Sequence, residues 1–134
     1  MPIKRNLERL FQALADGTRL RLLNLLAEGE LCVCYFVEIL GEPQPKISRH
    51  LAYLRRAGLV ETRRDGKWIH YRIGELESSA LGETLEQILG ILKLDPQMQR
   101  DLRALRTACC AVRLPPSIAD APRPVLANPG SRAS

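Results

Sequence analysis

Aromatic side chains are scarce in this sequence, 4% of 134 residues against 46% apolar residues in all. Any core must therefore be aliphatic, built from Leu, Ile, Val and Ala, a composition that favours helices. No apolar run reaches the roughly 18 residues of a membrane-spanning helix. The opening Met1-Pro2-Ile3-Lys4-Arg5-Asn6 lacks the apolar stretch and small-residue cleavage site of a signal peptide. A soluble, cytoplasmic chain with no membrane partner is expected. Also missing are a Ser/His/Asp array, a phosphate-cradling glycine loop, paired carboxylates and the Cys-x-x-Cys of a thiol-disulfide enzyme. The expectation is a non-enzyme with no permanently bound cofactor. No internal repeat occurs, and the length suits one domain.

The formal charge is +5, and its location is more informative than its size. Between Gly41 and Ile73 stand eight basic residues (Lys46, Arg49, Arg55, Arg56, Arg63, Arg64, Lys67, Arg72) and three acidic ones (Glu42, Glu61, Asp65); the rest of the chain balances at twelve each. The whole excess lies in one segment, the electrostatic footprint of a nucleic-acid-binding surface.

Apolar periodicity predicts a helix over 6–15 with Leu7, Leu10, Phe11 and Leu14 on one face. A second helix is capped by Thr18 and ended by Gly29, its leucines nearly encircling it, so it belongs in the core. A third runs from Leu31 to Leu40 and stops at Gly41. A fourth begins at Pro45, where a missing N–H costs nothing, and ends at Ala57 before Gly58. Two helices joined by a tight turn, the second basic, are a helix-turn-helix signature. Runs 59–64 and 67–73, separated by Asp65-Gly66, read as a β-hairpin wing. A helix over 78–93 carries Leu81, Leu85, Ile88, Leu89 and Leu92, an apolar stripe expected to face a second subunit, and a shorter helix leads to Cys109-Cys110. The fold class expected is mainly α with a small β-hairpin, a winged helix-turn-helix that dimerises through its terminal helices. One domain is expected over 1–110, followed by a disordered Pro/Ala-rich tail over 111–134.

On the fourth helix Ile47, Leu51 and Leu54 share the inward face, leaving Gln44, Lys46, Ser48, Arg49 and His50 toward a DNA groove. Gln pairs bidentately with adenine and Arg with guanine. Lys46 and the wing residues Arg63, Arg64 and Lys67 suit phosphates, adding affinity without sequence choice. Trp68 and Tyr71 read as packing between wing and body. A twofold dimer spans two half-sites about one DNA turn apart, so the operator partner is expected to be a pseudo-palindromic duplex.

The stretch Gln44-Pro45-Lys46-Ile47-Ser48-Arg49-His50-Leu51-Ala52-Tyr53-Leu54-Arg55, with Ala57-Gly58-Leu59-Val60 and Gly66-Lys67-Trp68-Ile69-His70-Tyr71-Arg72, resembles the arsenical-resistance branch of the ArsR/SmtB family of metal-sensing repressors. The resemblance covers roughly Leu7 to Leu92. It implies a homodimeric winged helix-turn-helix repressor that leaves its operator when a thiophilic ion binds. Glu30-Leu31-Cys32-Val33-Cys34 matches the thiol motif of that branch.

Four cysteines in a reducing compartment are not expected to be structural disulfides. Thiolates suit soft metals, and a helix N-terminus lowers a thiol pKa. Cys32 and Cys34 are thus the first candidate ligands and Cys109 and Cys110 the second. On a regular helix residues two apart point about 200° away from each other. Joint ligation of one ion by Cys32 and Cys34 is therefore expected to unwind the first turn of their helix and disturb the recognition helix behind it. Several relatives carry a third cysteine where this chain has Val37. Three repairs stay open: Cys109 or Cys110 supplies the third sulfur, within or across subunits; two thiols suffice; or the ligand differs. Trivalent arsenic or antimony is the expected inducer, with a methylated trivalent arsenical suited to two thiols. Cadmium-, lead- or zinc-responsive repression is an alternative, although the cadmium and lead sensors add N-terminal cysteines and this chain has none before Cys32. Thiol oxidation is another. His70 is a further candidate metal ligand, weighed against a surface or DNA-contacting role.

Overall fold

The computed structural model describes residues 2–110 and 116–126. Among these residues six helices and three strands follow in the order α1 (Ile3–Leu14), α2 (Gly17–Leu26), β1 (Leu31–Cys32), α3 (Val33–Leu40), α4 (Gln44–Arg56), β2 (Val60–Asp65), β3 (Trp68–Ile73), α5 (Ser79–Leu92) and α6 (Pro96–Cys110). The strands form an antiparallel sheet in the order β1-β3-β2. This is a winged helix-turn-helix, and among the described residues no helix is long and apolar enough to cross a membrane.

Local chemistry accounts for most boundaries. Asp16, not Thr18, caps α2, its carboxylate accepting from the Arg19 N–H at 3.0 Å, the third residue of the first turn. Gly41, at φ 69°, ends α3 in a left-handed conformation that costs glycine least. In the wing, Asp65 pairs with Trp68, so the turn residues are Gly66 and Lys67, one position later than expected. Gly66 has φ 61° and no non-glycine residue among those described has positive φ. Only the first central residue is thus left-handed, as in a type II′ hairpin.

The expected helix from Leu31 is corrected by two residues. Leu31 pairs with Tyr71 and Cys32 with His70, which draws both into the wing sheet as an edge strand. Cys32 is consequently extended (φ −88°, ψ 160°) and serves as the N-cap position of α3.

The core is aliphatic, as composition requires. Leu22, Leu23 and Leu25 of α2 meet Phe36 of α3 and Ile47, Leu51 and Leu54 of α4, all fully buried. On α5 the expected partner-facing stripe is used largely at home: Leu81, Leu85 and Leu89 are buried in the chain's own core, while Ile91 and, just past the helix, Leu94 stand 66% and 77% exposed. Ile3 and Phe11 on α1 are exposed too.

α6 is fastened to α2 by polar groups. Arg21 donates to both carboxylate oxygens of buried Asp101 at 2.8 and 2.9 Å, and Asn24 Nδ2 donates to the Met98 carbonyl at 3.1 Å. Fully buried Glu28 stands 3.5 Å from Lys93 and 3.4 Å from Arg106.

Within the stretch expected to lie loose, residues 116–126 instead pack on the body. Ile118, Ala121 and Leu126 are buried, Ser117 donates to Glu38 on α3, and Arg123 donates to the Cys109 carbonyl at 3.3 Å. A Cβ on Gly29 would come within 2.6 Å of the Val125 carbonyl oxygen, so the bare glycine is what lets this strap approach the end of α2. Isolated apolar residues that carry no periodicity have found complementary surface. The remaining tail positions, 111–115 and 127–134, lie outside the described residues.

Candidate nucleic-acid interface and thiol site

α4 is laid on the body by Ile47, Leu51 and Leu54. Its other face presents exposed Gln44 and Arg49, with Arg55 and Arg56 further along. Ser48 is half-buried and shares a shallow hollow with Ala52, Arg55, Arg56 and Tyr71, between recognition helix and wing. Lys46 is held by Glu42 at 3.2 Å, an exchangeable pair at the surface.

His50 does not stand free toward a groove. It is half-buried, with Nδ1 3.4 Å from the Arg19 guanidinium and 3.9 Å from the Asp16 carboxylate. Arg19 also donates to the carbonyls of Gln12 and Ala13 at the end of α1, and lies 4.2 Å over the Tyr53 ring. This arginine joins α1, α2 and α4, a role that helical periodicity does not reveal, because the partners lie on three separate elements.

In the wing, Arg63 donates twice to Glu30 (2.6 and 3.1 Å), holding the Glu30 carboxyl below its usual range. Arg64 donates to the Gly66 carbonyl at 3.2 Å, and Lys67 stands 5.1 Å over the Trp68 ring. Both remain exposed at the wing tip. Trp68 and Tyr71 pack against the core as expected, Tyr71 edge-on to Phe36 at 6.4 Å. His70 is buried, not at the surface, with its ring nitrogens 3.9 Å from Glu30 and 3.6 Å from Asp65.

The thiols of Cys32 and Cys34 are already together. Their sulfurs lie 3.1 Å apart, one in β1 and the other in the first turn of α3. The expected 200° divergence does not apply, because Cys32 is held in an extended strand and the angular rule holds only inside a helix. Joint ligation therefore needs no unwinding. The hydrogen bond from Cys32 lowers the Cys34 pKa to about 7 against the opposing effect of burial. The same bond and burial push Cys32 up, so the pair shares one proton and Cys34 ionises first. Iodoacetamide, which attacks only the thiolate, should alkylate Cys34 at a rate that rises with pH to a midpoint of about 7. A midpoint of about 8.5, that of a free thiol, would contradict the shared proton; peptide mass spectrometry separates the two sites.

Cys109, half-buried on α6, donates its thiol proton to the Pro124 carbonyl of the strap at 3.2 Å. Cys110 closes α6, and its side chain lies outside the described residues. Among the described residues no three His, Cys, Asp or Glu side chains converge as a metal-holding group. The structure thus brings together Cys32 and Cys34 and does not add Cys109 to them. Sequence reasoning missed Tyr35, whose ring is fully buried directly after Cys34. Burial, with the sulfurs of Cys32 and Cys34 nearby, raises its phenol above the ordinary range.

Comparison with known proteins agrees with this architecture. The model of a family described as bacterial regulatory protein, arsR family, matches residues 16–62. An arsenical resistance operon repressor of Escherichia coli K12 is 58% identical over 66 residues, 48% of this chain and 56% of that protein; the chain thus spans little more than half of that relative's length. An arsenic resistance transcriptional regulator of Pseudomonas putida is 46% identical over 81 residues, 60% of this chain and 70% of that protein. Among solved structures, a homodimeric winged helix-turn-helix DNA-binding domain from Mycobacterium bovis aligns with TM-score 0.56 and 35% identity, over 69% of this chain and 85% of that one.

Proposed function

Because this chain belongs to the arsR family of bacterial regulatory proteins, we propose that it is a dimeric transcriptional repressor which releases its operator when a trivalent arsenical or antimonial is captured by Cys32 and Cys34. The observation that carries the reading is the 3.1 Å approach of the two sulfurs at the junction of β1 and α3. β1 is bonded to wing strand β3, and α3 leads through a short turn into recognition helix α4. A ligand that ties the two sulfurs therefore constrains the wing against the helix-turn-helix. Coupling of about 1–3 kcal/mol, 5- to 150-fold in operator affinity, suffices for release. Gln44 and Arg49 read bases; Ser48, Arg64 and Lys67 contact the backbone, joined by Lys46 and Arg63 once DNA competes with their carboxylate partners. Exposed Ile3, Phe11, Ile91 and Leu94 supply the apolar surface for a second copy.

Fluorescence anisotropy on promoter DNA, titrated under reducing conditions with arsenite, antimonite, cadmium and zinc, tests this. Wild type should release DNA with the trivalent metalloids, and Cys32→Ser/Cys34→Ser should bind DNA and stay bound. Cys109→Ser/Cys110→Ser measures what share the C-terminal pair takes. Release by cadmium or zinc alone would retain the repressor and replace its inducer. The sulfur contact also favours thiol oxidation as a second reading, which peroxide-driven release reversed by dithiothreitol would establish.

A further inference from the structure

Tyr35 stands one residue beyond Cys34 and three beyond Cys32, at the start of α3. The Cys32 and Cys34 sulfurs lie near enough to act electrostatically on the phenol oxygen, as do the Cys109 thiol and the Arg123 guanidinium. The ring is completely buried and its hydroxyl has no hydrogen-bond partner among the described residues. An enclosed hydroxyl in that condition costs about 1–3 kcal/mol, and buried tyrosines ordinarily find a partner. Phenylalanine would fill the same space without the penalty, so the hydroxyl calls for a use that packing does not provide.

We infer that the Tyr35 hydroxyl is a ligand-discriminating group of the thiol site, donating to the one hydroxyl that arsenite keeps after Cys32 and Cys34 have displaced the other two. This rests on the metalloid reading above. Each capture step exchanges an S–H and an As–O bond for an S–As bond and a molecule of water; arsenic stays trivalent and no electrons are transferred. Arsenous acid, with three hydroxyls, retains one after two exchanges. Methylarsonous acid has two, and after the same exchanges presents only its methyl group. The first product needs a hydrogen-bond partner where the second needs none, and a site that hydrogen-bonds a ligand hydroxyl discriminates against the analogue lacking it.

The test uses the full chain and its Tyr35→Phe variant on promoter DNA, titrated with arsenite and with methylarsonous acid. Ligand binding without DNA is followed in parallel by near-ultraviolet sulfur–arsenic absorbance. Tyr35→Phe should raise the arsenite concentration for half-response about three- to tenfold, the worth of one net hydrogen bond, and leave methylarsonous acid unchanged. Because the comparison is a ratio within one variant, a loosened fold, which weakens both ligands alike, cannot imitate it. Equal weakening of both, or no change in either, overturns the inference. So does Cys109→Ser costing as much with arsenite while Tyr35→Phe costs nothing, since a third sulfur would then hold the position. A wild type that binds neither arsenical brings down the metalloid reading itself, and this one with it.

Discussion

Arg21→Ala should lower the stability of the fold by about 3–5 kcal/mol, the cost of breaking a buried ion pair from one side. Asp101 keeps only 4% of its side chain exposed, and Arg21 meets both its oxygens. Removing the guanidinium leaves a carboxylate in the seam between α2 and α6 with only Gln97, at 3.0 Å, to answer it among the described residues. Against a total of about 5–15 kcal/mol for an ordinary domain this is a large fraction. Urea unfolding followed by circular dichroism, at one protein concentration so that self-association cannot move the midpoint, measures it. Arg21→Met/Asp101→Leu, which removes the pair and keeps the volume, should lose far less, because no charge is stranded. A loss below about 1 kcal/mol in the single variant would mean that Asp101 reaches water in solution, as a surface pair does. The effect extends to the C-terminal thiol: α6 carries Cys109 and anchors the 116–126 strap, so the seam holds that thiol against the strap.

Arg49→Ala should weaken operator binding by about 1–3 kcal/mol in each half-site, and so by about 2–6 kcal/mol in a twofold complex, roughly thirty-fold to more than ten-thousand-fold. Arg49 is exposed on the outer face of α4, and no hydrogen bond or ion pair holds it among the described residues. Folding should consequently change by no more than about 0.5 kcal/mol, as at other surface sites. The signature to look for is loss of preference at one base position per half-site, with little change in the salt dependence of binding. Lys67→Ala is the contrast: a uniform loss across sequences and a shallower salt slope, by about 0.9 for each phosphate contact removed. If Arg49→Ala also behaves that way, Arg49 contacts phosphate and another residue reads the base.

How far such features could be read from the chain depends on the range of the forces behind them. Helix faces were legible because Ile47, Leu51 and Leu54 repeat at the helical period, and the same repeat exposes Gln44 and Arg49. The wing turn was legible to within one residue because Gly66 is there to take a positive φ. Asp16 and Thr18 are both good caps, and local chemistry does not rank them; the reach to the Arg19 amide does. β1 escaped because two residues carry no periodicity, and only pairing with Tyr71 and His70 makes them a strand. His50 and Arg63 looked free because their carboxylate and guanidinium neighbours come from distant parts of the chain.

By itself the sequence determined the aliphatic core, the helix-turn-helix and wing, the basic segment and the Cys-Val-Cys pair, all of which follow from periodicity, backbone preference and charge acting over a few residues. The tertiary structure decided what those thiols can do. A strand that joins the wing turns Cys32 out of the helix and brings its sulfur to 3.1 Å from Cys34, and packing encloses the Tyr35 hydroxyl within their electrostatic reach. Bond directions at a helix start depend on which neighbour supplies the hydrogen bonds, and here that neighbour is β3, a strand that reaches Cys32 only when the chain has folded.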